Sequence, residues 1–321
     1  MYICTYKLSI FLKTFHDIST FETNEKTFVT IGTFDGVHFG HKEIISKLVE
    51  DAKRAGKKSV LLTFFPHPRM VLQKDTNIAL INTIEERATL LKKTGLDYLI
   101  IHPFNIAFSK LTAFDFVRDL LVKQLNISKL IIGYDHHFGK NREGNIEQLT
   151  EYSQQFNFSV QEIPAQDIDN VSVSSTKIRK ALASGNLKTA NKYLGYHFML
   201  SGKVVNGKKL GGKIGFPTAN IEVIETYKLI PKTGVYVVKS TINEQAIYGM
   251  MNIGNRPTVS GKHQTIEVHF FDFNSDLYHQ YLTIELIYFL RDEKKFDTLE
   301  LLISQLQEDE KIARTHLKGL L

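Results

Sequence analysis

His38 and His41 stand three residues apart inside a glycine-rich run, Ile31-Gly32-Thr33-Phe34-Asp35-Gly36-Val37-His38-Phe39-Gly40-His41. Glycine lets a backbone approach a ligand closely, and the free N–H groups of a helix start favour an anion, above all a phosphate. With the second histidine in the first turn of a following helix, both imidazoles can face one phosphate and stabilise charge on it during transfer. Gly32, Gly36 and Gly40 do not spell the dinucleotide G-x-G-x-x-G, and no GK[ST] follows. Zinc is the weaker alternative, because no third or fourth ligand stands at a suitable spacing. Gly32, Phe34, Asp35 and Gly36 are the accompanying candidates for nucleotide binding.

Four further clusters carry polar chemistry. In Phe65-Pro66-His67-Pro68-Arg69 two prolines stop any helix and project a rigid loop. His67 and Arg69 are either phosphate or nucleotide contacts or members of a plain surface loop. Gly133 to Gly144 supplies Asp135 as an acceptor, with Lys140 and Arg142 suited to phosphate. A metal held by Asp135, His136 and His137 is disfavoured, since adjacent side chains point apart. Ser174 or Ser175 can cap a helix running through Arg179, so that Ser175, Thr176 and Arg179 face an anion at its start. Gly207 to Ile214 nearly spells a P-loop, but Ile214 stands where Ser or Thr should bind magnesium. The hydroxyl comes later, in Gly215-Phe216-Pro217-Thr218-Ala219-Asn220. There Thr218 and Asn220 alternate on an extended segment, face one ligand, and can hold phosphates and Mg²⁺.

Strands must carry these loops. Lys26–Ile31, Ser59–Phe65, Tyr98–Ile101 and Lys129–Ile132 are apolar, β-branched runs. Between them lie a helix over Lys42–Ala55, a second opened by a Thr83/Glu86 capping box and closed by Gly95, and a third starting at Thr112. This alternation predicts an α/β domain with a doubly wound parallel sheet, whose ligands gather at the carboxyl ends of the strands. After about Phe198 short alternating segments (Phe198–Val205, Val235–Thr241, Ala246–Ile253, Thr265–Phe271, Leu282–Leu290) predict a closed antiparallel β-barrel, followed by a terminal helix over Asp297–Leu317. The expected division is 1–195 and 196–321.

The 321 residues, 43% hydrophobic and 23% charged, suit a soluble two-domain protein. A formal charge of +6 permits nucleic-acid binding, but no run of five like charges suggests a basic arm, and attraction of anionic metabolites is the simpler reading. One cysteine, Cys4, excludes an intramolecular disulfide and suits a reducing cytoplasm. Neither a signal peptide nor a membrane span is expected.

The run Gly32 to His41 resembles the signature of nucleotidyltransferases that move an adenylyl group from ATP. With Phe-Asp-Gly-Val-His it is similar to the prokaryotic bifunctional riboflavin kinase/FAD synthetase family. Val173-Ser174-Ser175-Thr176-Lys177-Ile178-Arg179 and Gly133–Gly144 match that family, with His136 where phenylalanine is usual and Ser172 where some relatives are basic. The second half is similar through Gly215–Asn220, Asn252-Ile253-Gly254-Asn255-Arg256-Pro257-Thr258, Ile266-Glu267-Val268-His269 and Arg291–Phe296. Gly212 departs from a position often basic, and His279 from one where glycine is usual.

The resemblance implies a Rossmann-like FMN adenylyltransferase domain before a riboflavin kinase barrel. Riboflavin would take the γ-phosphoryl of ATP to give FMN, and FMN would then take AMP to give FAD. It implies Glu267 as the base that takes the ribityl hydroxyl proton, Mg·ATP on Thr218 and Asn220, and ligand contacts from Gly215, Pro217, Asn252 and Arg256. Small-molecule substrates, no nucleic acid, no membrane, and a monomer or weak homo-oligomer in the cytoplasm follow as expectations. Two other readings stay open: a nucleotidyltransferase for another phosphorylated acceptor with the barrel as a binding module, and a non-enzymatic basic nucleic-acid binder.

Overall fold

The computed structural model describes residues 12–72, 78–134, 136–168, 171–207, 210–258 and 261–319, in two compact units that divide between Ser174 and Ser175. In the first unit the strands are β1 (Lys13–Phe15), β2 (Thr27–Ile31), β3 (Lys58–Phe65), β4 (Tyr98–Pro103), β5 (Ile127–Gly133) and β6 (Ser159–Ile163). They form one parallel sheet in the order β1-β4-β3-β2-β5-β6. Val29, Val60, Leu61, Leu62, Leu130 and Ile131 are fully buried, as strands covered on both faces require.

The order reverses at β2, between β3 and β5. The carboxyl ends of β2 and β5 therefore flank the crevice where doubly wound sheets bind ligands. The glycine-rich turn leaves β2 and the Gly133–Gly144 loop leaves β5, so the predicted sheet brings two of the polar clusters to one edge.

Helix α1 (Phe39–Arg54) begins earlier than the apolar spacing suggests, because His38 caps it. Pro68–Leu72 forms a short helix, α2, instead of a rigid loop. Proline at the first helical position loses no needed N–H. Thr83 and Glu86 make the expected capping box at the start of α3 (Ile84–Lys92). Thr112 caps α4 (Ala113–Asp115), which runs on through Gln124 with wider turns. Helix α5 (Ile146–Phe156) precedes β6, and a small hairpin, β7 (Asp167–Ile168) and β8 (Val171–Ser172), ends the unit.

The second unit opens with α6 (Ser175–Ser184) and α7 (Leu187–Leu194), ahead of the expected division at 195/196. Both are tied to the barrel: the Leu182 carbonyl accepts from Lys232 N–H at 3.1 Å, and the Asn191 amide donates to the Leu286 carbonyl at 2.9 Å. β9 (Met199–Val205), β10 (Ala219–Glu222), β11 (Gly234–Ile242), β12 (Gln245–Thr258), β13 (Gly261–Phe270) and β14 (Tyr281–Arg291) close in the order β10-β13-β12-β11-β14-β9. A four-residue helix, α8 (Leu210–Lys213), precedes β10. The sequence reading missed β10 as a strand, since Ala-Asn-Ile-Glu carries too little apolar alternation to announce one. Tyr236, Met251, Ile253, Val268 and Leu286 fill the interior. The opposite face, bearing Val235, Val237 and Met250, packs on Ala313 and Leu317 of α9 (Leu299–Lys318). Arg291 on β14 forks onto buried Asp309 of that helix at 2.6–3.1 Å.

Candidate active sites

In the first unit the chain turns sharply between β2 and α1. Phe34, Gly36 and Val37 take φ of 47°, 91° and 35°, unusual for a phenylalanine and more so for a β-branched valine. His38 is buried, and its Nδ1 accepts from the backbone N–H of His41 at 3.4 Å. That bond leaves the proton on Nε2, so His38 presents a donor. The two imidazoles stack with ring centroids 3.6 Å apart and planes 17° off parallel, and Phe34 packs 5.0 Å from the His41 ring. Burial, then His38, then Arg87 hold the His41 imidazole well below its ordinary pKa, so it is neutral at physiological pH. Its Nδ1 is buried without a hydrogen-bond partner. The pair expected from the spacing is thus assembled.

Asp35 ties the turn to the segment ahead of α3. Its carboxylate is buried and accepts from Ile81 N–H at 2.9 and 3.1 Å and from Asn82 N–H at 3.2 Å. Behind it lies Arg87 on α3, 2% exposed, with Nη2 3.8 Å from Asp35 Oδ1. Arg87 Nη1 donates to the Thr33 carbonyl at 2.7 Å and to Thr63 Oγ1 at 3.3 Å. Sequence reasoning missed Arg87. The only signal was its place one turn past the Thr83 cap, on a helix face that could equally have met solvent.

The other candidates of this half are more scattered. Gly32 lies under the Phe34 ring, at the exit of β2. His67 Nδ1 accepts from Arg69 N–H at 3.2 Å, and Arg69 is exposed on α2. Arg142 is exposed, with φ of 60° in a loop closed by paired bonds between Phe138 and Gly144. Burial, with help from His137 and Arg142, pushes the His136 imidazole down to about 4, and its Nε2 is buried without a hydrogen-bond partner. Its ring stacks 6.1 Å from Phe138, the packing a phenylalanine would make there. Asp135 and the side chain of Arg256 lie outside the described residues. Ser175, Thr176 and Arg179 stand in the first turns of α6, which belongs to the second unit.

On the barrel, register does the assembling. Asn220 pairs with Glu267, Glu267 with Asn252, Asn252 with Val235 and Val235 with Arg291, one row across five strands on the face that carries α9. Thr218 Oγ1 donates to Glu267 Oε2 at 3.4 Å. Glycine backbone accommodates the row: a Cβ on Gly207 would lie 2.0 Å from Asn220 Nδ2, and one on Gly254 would lie 2.6 Å from Glu293 Oε1 and 3.0 Å from Asn252 Nδ2. Gly215 has φ of 87° and Pro217 follows it. The Pro217 carbonyl lies 2.8 Å from His269 Nδ1, two residues along β13 from Glu267. His269 also packs edge-on against Phe216 at 5.2 Å. Thr218, Asn220, Asn252 and Glu267 are thus brought together, and His269 and Glu293 join them. Hydroxyl, amide and carboxylate oxygens are the donor chemistry of a hard cation. Among the described residues no group of three or more His, Cys, Asp or Glu could hold a metal, so a cation here would take its remaining ligands from phosphates and water.

A family model described as FAD synthetase matches residues 20–177, and one described as riboflavin kinase matches residues 194–317. The bifunctional riboflavin kinase/FMN adenylyltransferase of Escherichia coli (strain K12) is 37% identical over 287 residues, 89% of this chain and 91% of its own length. The chain belongs to that family. The enzyme of the same description from Listeria monocytogenes is 37% identical over 302 residues, 93% of this chain and 95% of its own. A solved structure from Streptococcus pneumoniae, described as a macrolide-efflux protein, matches with a TM-score of 0.87 and 31% identity, covering 94% of this chain and 98% of that one. No helix among the described residues is long and apolar enough to cross a membrane. The riboflavin kinase match sets aside the barrel as a mere binding module. The FAD synthetase match takes in Ser175 and Thr176 although both pack with the second unit, and Arg179 falls between the two matches.

Proposed function

We propose that the family's two reactions divide between the two clusters. In the barrel Glu267 takes the proton of the riboflavin ribityl hydroxyl, whose oxygen attacks the γ-phosphorus of ATP, so that FMN forms and ADP leaves. Thr218 and Asn220 would hold Mg²⁺ with the phosphates, and the ion when bound would offset charge on the transferring group. Gly215 and Pro217 belong to the loop that leads into Thr218, Asn252 belongs to the row, and Arg256 is proposed as a ligand contact on its motif alone. The observation that carries this reading is the juxtaposition of Thr218, Asn220, Asn252 and Glu267 by strand register.

At the β2–α1 turn a phosphate oxygen of FMN attacks the α-phosphorus of ATP, forming FAD and releasing pyrophosphate. No protein nucleophile is required. His38, as an Nε2–H donor, and neutral His41 stabilise charge on the transferring phosphoryl. Gly32, Phe34, Asp35 and Gly36 build the turn. His67, Arg69, Asp135, Arg142, Ser175, Thr176 and Arg179 are proposed as nucleotide or phosphate ligands of that transfer on their motifs. This reading takes ATP, riboflavin and FMN as the molecules bound, with neither nucleic acid nor membrane. It places the enzyme in the cytoplasm as a monomer or weak homo-oligomer, supported by the dispersed basic charge and the single cysteine.

Flavin chromatography after incubation with ATP and Mg²⁺ tests the division. Glu267→Ala should lower FMN formation from riboflavin by at least about 100-fold and leave FAD formation from supplied FMN unchanged. His41→Ala should do the converse. Loss of both activities in either variant would contradict separate sites, and normal FAD output from His41→Ala would remove that histidine from the mechanism.

A further inference from the structure

We infer that Arg87 is a positioning residue for adenylyl transfer, holding the Thr33–Asp35 segment so that His38 and His41 are presented together. This rests on the assignment of that transfer to the β2–α1 turn. Arg87 grips the turn at two places, the Thr33 carbonyl at 2.7 Å and the Asp35 carboxylate at 3.8 Å, while Thr63 on β3 takes a further bond at 3.3 Å. Asp35 in turn is fixed by the backbone N–H groups of Ile81 and Asn82, just ahead of the cap of α3. One guanidinium thus ties strand, turn and helix at the point where Phe34 and Val37 adopt left-handed backbone. Such conformers persist only where the surroundings over-determine them.

A buried arginine–aspartate pair adds little net stability compared with apolar packing of the same volume. Its value at 2% and 1% exposure is geometric. The fork fixes where Phe34 lies, Phe34 packs on His41, and His41 stacks on His38. The guanidinium also acts on charge. Burial, His38 at the cap of α1 and Arg87 from α3 each disfavour protonation of His41, and the Asp35 carboxylate pairs with Arg87 at 3.8 Å.

Arg87→Met, Arg87→Lys and His41→Ala, in the full chain, separate the possibilities, with riboflavin phosphorylation by the same molecules as the reference. Arg87→Met should lower kcat for FMN adenylylation by at least about 10-fold with KM for ATP within about two-fold, since misplacing a catalytic group acts on the transfer step. Its acid limb should move to higher pH, because His41 protonates more readily without the neighbouring cation. Arg87→Lys keeps the charge but cannot bridge Thr33, Thr63 and Asp35, so kcat should fall while the acid limb stays put. A kcat within two-fold of the unmodified enzyme in either variant overturns the inference. So does a lower kcat in Arg87→Met with an equal fall in riboflavin phosphorylation by the same molecules, which would assign the residue to folding alone. If Arg87→Met does not fold, Arg87→Lys decides. Retained transfer in His41→Ala would instead refute the site assignment itself.

Discussion

Asn220 owes its position to a missing atom. Its amide lies where a side chain on Gly207 would begin, 2.0 Å from the ideal Cβ. No small shift accommodates both, so Gly207→Ala should rotate Asn220 out of the row it shares with Glu267 and Asn252. A displacement of about 1 Å near reacting groups costs on the order of 100-fold in rate. Gly207→Ala should therefore cut riboflavin phosphorylation by about 10- to 100-fold, while FMN adenylylation continues. An unchanged kinase rate would take Asn220 out of the site. Gly212 contrasts with it: nothing lies within 4 Å of its Cβ position, so a Cβ there meets no neighbour. From sequence, Gly207 reads only as part of a failed P-loop, and Gly212 as that and a departure from a basic position. Glycine content signals close approach, but not which atom approaches.

Among the elements, the turn before β14 shows how a family departure becomes physical. His279, where the resemblance leads one to expect glycine, has φ of 66°, and its N–H donates to the Val204 carbonyl at 3.0 Å. A left-handed non-glycine residue costs about 1–2 kcal/mol, and glycine gives back about 0.5–1 kcal/mol through the unfolded chain. His279→Gly should thus stabilise the barrel by up to about 1 kcal/mol in denaturant unfolding. A loss of stability would mean that the imidazole itself holds the turn. The core strands were legible because continuous apolar, β-branched runs leave few alternatives, and the capping box at Thr83 is a local device complete within four residues. Asp35 shows the opposite limit: residue type and turn location are visible in sequence, its backbone partners Ile81 and Asn82 are not. Arg87 and β10 stayed hidden because each acquires its role only through partners distant in the chain, Thr33 and Thr63 for one and Val205 and Glu267 for the other.

At the scale of the molecule, the two units hold their titratable groups differently. The first keeps histidines neutral by burial: His41 well below 6.5, His136 about 4, and His102 lowered. Unfolded, these would titrate near 6.5, so between that pH and their folded values the unfolded chain binds more protons and stability drops as pH is lowered. For His136 alone the loss approaches about 3 kcal/mol by pH 4. In the second unit a shifted carboxylate is Asp272, lowered chiefly by its hydrogen bonds to Arg314. Its contribution is present above 3.8 and lost only as pH falls through its depressed value, a lower window than the histidines set. Acidification should therefore open the first unit first. Hydrogen exchange followed peptide by peptide from pH 7.5 to 3.5 should show residues 12–174 losing protection at higher pH than residues 175–319. His136→Phe, which keeps the stack on Phe138 and removes the buried imidazole, should move that first loss to lower pH. Simultaneous loss in both units, or an unmoved transition in His136→Phe, would show that buried histidines do not set the acid limit.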